Sequence, residues 1–113
     1  MTYNKPETEA EVLQEKLQDI KDQEGIIGYI LRSSKSASID LKDPKKIIEY
    51  AMLSSTAFDV ALNMTEALQL GELETILVES EETKLLSMNI NDQRLSVFME
   101  KSVNHDKIYK ELK

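Results

Sequence analysis

From Lys45 to Leu70 the chain reads KKIIEYAMLSSTAFDVALNMTEALQL, the longest stretch with a single period. It carries the marks of one helix. Asp43 can accept hydrogen bonds from the first unpaired backbone amides, Pro44 suits the first helical position, and Gly71 can take the left-handed conformation that ends the run. At about 100° per residue, the apolar positions from Ile47 through Tyr50, Phe58, Ala61, Leu62 and Met64 to Leu68 cover an arc of roughly 220°. A surface helix buries a stripe only slightly wider than about 100°, so the surplus arc needs a second cover. In so short a chain that cover is expected to be a second copy, with the helix contact at Phe58, Ala61 and Leu62.

The size of the chain supports this economy. Its 113 residues, 41% hydrophobic and 31% charged, predict a single domain spanning residues 1–113 with a core of its own. With no cysteine, thiolate metal sites and thiol nucleophiles are excluded, and the cytoplasm is the expected location. The opening MTYNKPETEAE has no apolar leader, and no run approaches the roughly 18 apolar residues of a spanning helix, so membrane insertion is not expected. A formal net charge of −7, with scattered lysines and two arginines, repels phosphate backbones and argues against nucleic acid as a partner.

Thr8 and Glu11 have capping-box spacing, and Ala10, Leu13, Leu17 and Ile20 then recur at helical intervals until Gly25. The run IIGYIL, Ile26 to Leu31, is too short for a buried helix and rich in residues that favour strands, which predicts a central strand covered on both faces. Ala37, Ile39 and Leu41 alternate with Ser38 and Asp40 as a shorter edge strand. After the long helix, LETILVES, TKLLSMNI and QRLSVFME predict an antiparallel meander with turns at Glu79 to Glu82 and at Asn91-Asp92. Its register places Leu86, Met88 and Ile90 on the same side as Leu95, Val97 and Met99. His105, Ile108, Tyr109 and Leu112 then give a terminal helix capped by Asn104.

In this order of elements, the GIIGYIL strand, the Ala-rich long helix and the closing run LETILVESEETKLLSMNINDQRLSVFMEKSVNHDKIYKEL resemble a Roadblock-type dynein light-chain domain. Ser34-Lys35 stands where such domains often carry Asp-Gly. The resemblance implies an α+β fold of three α/β/α layers, a five-stranded antiparallel sheet with the long helix on one face and the two terminal helices on the other. It implies a homodimer made by pairing the long helices and the strand after them, which puts Thr75 and Leu77 at the strand contact. It also implies a scaffold or regulator of a small Ras-like GTPase.

No catalytic, cofactor-binding or metal-binding residue stands out. His105 lies on an apolar stripe without a second ligand nearby, and Glu79, Glu81 and Glu82 read as a solvated turn. Gly25, Gly28 and Gly71 match no phosphate loop, and each has a backbone explanation. The polar strip of the long helix, Ser55, Thr56, Asp59, Asn63 and Glu66, falls within about 100°, and periodicity alone suits solvation as well as a partner. The resemblance makes it the docking face for the GTPase, with Met52 at its margin. Alternatives are a GTPase-activating protein working without an arginine finger, because Arg32 and Arg94 sit at strand ends, and a small ligand sensor or enzyme with an unrecognised site.

Overall fold

The computed structural model describes residues 8–113. The first seven residues, part of the stretch read above as lacking an apolar leader, lie outside them. Helix α1 runs Glu9–Lys21, and Thr8 Oγ1 accepts the Glu11 N–H at 3.2 Å, so the capping spacing is used. Leu13, Leu17 and Ile20 are its buried stripe. Ala10 is exposed, so that stripe starts one turn later than the spacing suggests.

The strands are β1 (Ile26–Arg32), β2 (Ala37–Leu41), β3 (Thr75–Glu79), β4 (Thr83–Ile90) and β5 (Gln93–Glu100), with α2 (Ile47–Ala67) between β2 and β3 and α3 (His105–Leu112) last. They form one antiparallel sheet in the order β2-β1-β5-β4-β3. Asn91 and Asp92 both take positive φ, 51° and 61°, which gives the two-residue turn a twist that matches its strands. Leu86 faces Val97 and Met88 faces Leu95, as the alternation required.

Strand β1 is buried on both sides because α1 and α3 cover one face of the sheet and α2 the other, and its register with β5 shifts between Ile26 and Gly28. Strict alternation back from Leu31 and Tyr29 would turn Ile26 to the α2 side; the bulge resets the phase, so Ile26 joins the α1/α3 core and Ile27 packs on the α2 side. Gly28 makes the bend possible. A Cβ there would stand 2.3 Å from the Asp40 carbonyl oxygen and 2.7 Å from Leu41 Cα.

The two faces of the sheet are unequally filled. On one, α1 and α3 close over thirteen buried apolar side chains, among them Tyr29, Leu86, Met88, Leu95, Val97 and Met99. On the other, α2 covers a cluster of four, Ile30, Leu41, Leu85 and Phe98, with Ile47, Tyr50, Ala51 and Ala57 half-buried against it. At roughly 1.5–3 kcal/mol for each fully buried large side chain, the first face holds most of the hydrophobic stabilisation. Helix α2 is the weakly held layer.

Its ends also differ from the sequence reading. Asp43 caps a 3₁₀ turn at Pro44–Lys46, accepting the Lys45 N–H at 3.1 Å, and the α-helix proper begins at Ile47. At the other end the left-handed residue is Gln69, not Gly71. Gln69 has φ 53°, its N–H bonds the Glu66 carbonyl at 3.2 Å, and the Leu70 N–H bonds the Thr65 carbonyl at 2.9 Å. That is a Schellman ending, complete two residues before the glycine.

Candidate functional site

The rotation of α2 about its own axis decides which residues it can offer. Phe58 is only 2% exposed and lies against its own sheet, with the Arg94 guanidinium 3.5 Å from the centre of its ring. The sequence alone sets Phe58 at the contact with a second copy; in the fold its ring is taken up by this chain's own core and leaves little surface for another. Ser54 is buried on the same side, and Ala61 and Leu62 are half-buried beside it. Of the outward apolar residues of α2, Leu53, Val60 (53% exposed), Met64 (57%) and Leu68 (63%) share one flank at helical spacing, while Ile48 and Met52, also exposed, fall on the side of the polar strip.

This flank runs toward the β3 edge. An apolar cleft of about 220 Å³ separates α2 from the β3-β4 hairpin, lined by Leu53, Ala57, Val78, Leu85 and Phe98. Among the described residues, β3 is a terminal strand of the sheet. The Asn89 N–H bonds the Glu74 carbonyl and the Ser80 N–H bonds the Thr83 carbonyl, which fixes the alternation of the ladder. Ile76 and Val78 direct their backbone groups to β4, while Thr75 and Leu77 direct theirs away from the sheet. The side chain of Leu77 is itself exposed.

The polar strip lies on the opposite flank of α2. Thr56, Asp59, Asn63 and Glu66 are exposed. Ser55 is only half-exposed, because its hydroxyl accepts a hydrogen bond from the Arg32 guanidinium. Arg32 and Arg94 are the only arginines of the chain, and they are direct cross-strand neighbours on the α2 side of β1 and β5. Periodicity predicts both at strand ends but not side by side, since the pairing of β1 with β5 joins segments far apart in the chain. Arg94 is pushed below its ordinary pKa by burial and by Arg32, against the opposing pull of Asp59.

On the other side of the sheet, the Lys84 ammonium donates to the Val103 carbonyl and lies 3.3 Å from His105 Nδ1. His105 is half-buried over this contact. Tyr29 is raised above its ordinary pKa, first by burial and then by Asp40, with Ser38, Lys21 and Gln18 opposing. Among the described residues no group of acidic and histidine side chains is arranged to hold a metal ion, and no helix is long and apolar enough to cross a membrane.

No protein-family model matches the sequence, and no curated protein sequence matches it. Solved structures do. The chain superposes on a Roadblock/LC7 domain from Streptomyces avermitilis with a TM-score of 0.68 at 15% identity, covering 89% of this chain and 85% of that one. It also superposes on MglC from Myxococcus xanthus with a TM-score of 0.50 at 17% identity, covering 89% of this chain and 90% of the other. The fold is of the Roadblock type. At these identities the likeness concerns the arrangement of the backbone alone.

Proposed function

We propose that this protein is a homodimeric scaffold or regulator, one domain per chain, that binds a small Ras-like GTPase through its paired long helices in the cytoplasm. The observation that carries the reading is the exposed flank of α2, Leu53, Val60, Met64 and Leu68, continuous with a strand edge whose Thr75 and Leu77 amides point outward. A second copy related by a twofold axis covers both at once, helix on helix and β3 on β3, and the cleft beside Val78 has room for a side chain from it. Ala61 and Leu62 lie at the margin of this contact, and Phe58 supports it from inside.

Pairing the α2 helices leaves the strip of Thr56, Asp59, Asn63 and Glu66, with Ser55 behind it, for a different partner. The GTPase is carried over from the Roadblock resemblance. The open clefts and the exposed strip support a docking surface over a reaction chamber. Arg32 and Arg94 are both held against α2 from rigid strands, which supports an effect on the partner's own residues over insertion of an arginine finger.

The test is sedimentation followed by capture. The unmutated chain should sediment as a dimer at micromolar concentration and should retain a Ras-like GTPase from extracts of its source. Met64→Glu should sediment as a monomer and lose that GTPase. A monodisperse monomer, or a dimer that retains no GTPase in any nucleotide state, would overturn the respective half of the proposal.

A further inference from the structure

In a chain of net charge −7, the one place where two guanidinium groups meet is at the end of the sheet beside α2. Like charges directly opposite on neighbouring strands are unfavourable, and among the described residues neither arginine forms an ion pair. Each is nevertheless held in place, Arg32 by the Ser55 hydroxyl and Arg94 by the face of the Phe58 ring. These contacts use one N–H of Arg32 and the flat face of Arg94, so further donors remain on both. They border a cleft of about 270 Å³ whose lining includes Ser33, Ser34, Asn89 and Gln93.

We infer that this cleft is a binding notch for a single carboxylate, taken up by the forked N–H groups of Arg32 and Arg94. The charge of the surroundings selects the ligand. Asp92 lines the same cleft and Asp59 stands close enough to Arg94 to act on it, so these two carboxylates offset the two guanidinium charges and the local net charge is near zero. That suits a monoanion held by planar, two-point hydrogen bonding and disfavours a phosphate dianion. Because the notch adjoins Ser55 and Asp59, a protein docked on the α2 strip would deliver the carboxylate from an acidic side chain. The notch thus deepens the docking reading and rests on it only for the source of the ligand.

The 113-residue chain holds just two arginines, so labelling arginine alone with 15N gives it two side-chain Nε signals. Titration with N-acetylglutamate amide at constant ionic strength should shift both signals saturably, in the millimolar range. Inorganic phosphate near pH 7.5, where it is mainly dianionic, should bind more weakly. Arg94→Gln should abolish the response of the Arg32 signal, and Arg94→Lys, which keeps the charge but loses the fork, should weaken it several-fold. Asp59→Asn should tighten binding a few-fold, an effect that a purely structural pair of arginines would not produce. Absence of a saturable shift, equal or tighter binding of phosphate, or an unchanged affinity in folded Arg94→Lys would each overturn the inference. The titration uses no GTPase, so failure of the GTPase reading leaves its outcome intact.

Discussion

At the scale of single residues, Tyr29 sets an alkaline limit on stability. Its pKa in the fold lies above the ordinary 10.0, mainly because burial disfavours the phenolate. The unfolded chain therefore loses this proton first as pH rises, so the stabilisation is fully present below about pH 10 and disappears as pH passes through the folded value. The urea midpoint should fall between about pH 9 and about pH 11, and it should fall less for Tyr29→Phe, measured at the same two pH values. An equal fall in both proteins would place the alkaline sensitivity elsewhere. Gly28 makes a different demand. A methyl group there meets the Asp40 carbonyl and the Leu41 backbone, neither of which can swing aside. Gly28→Ala should cost at least about 2 kcal/mol in a denaturant titration, with β1 and β2 pushed apart.

At the scale of elements, β3 separates folding from assembly. Its ladder to β4 uses the backbone of Ile76 and Val78, and the amides of Thr75 and Leu77 face outward. Thr75→Pro or Leu77→Pro should weaken dimerisation in sedimentation while far-UV circular dichroism stays close to that of the unmutated chain. Ile76→Pro should reduce both, because it removes a donor the chain needs internally. If all three prolines behave alike, β3 is not an assembly edge. The same elements show what the sequence could disclose. Short-range chemistry was legible: the Thr8 and Asn104 caps, the Asn91-Asp92 turn and the alternation in β4 and β5 all act within a few residues. The setting of α2 was not. An apolar arc of roughly 220° does not say which third faces the sheet, and Phe58 proves to lie in the third that does. The bulge at Ile27 and the meeting of Arg32 with Arg94 depend on β1 pairing with β5, a long-range choice that no local pattern encodes.

At the scale of the whole molecule, the proposed division of labour is that one flank of α2 assembles the dimer while the other docks a partner. The two functions should therefore come apart under mutation. Asp59→Lys combined with Glu66→Lys changes exposed charges on the other flank of α2 from Leu53, Val60 and Met64, so the dimer should survive it in sedimentation. Partner association should slow, and the loss should shrink as salt screens the charges, over a Debye length of about 10 Å at 0.1 M ionic strength. The arginines test the mechanism rather than the address. A finger must carry its cation on a mobile loop to the transferred phosphoryl group, but Arg94 is stacked on Phe58 and Arg32 is tied to Ser55. Arg32→Ala and Arg94→Ala should weaken the complex, yet single-turnover GTP hydrolysis by a saturated complex should stay within a few-fold of the unmutated rate. A finger would be worth about 1,000-fold or more. A loss of that size in a variant that still saturates would mean that an arginine leaves its place on the sheet to act on the nucleotide, and that docking alone does not describe this protein.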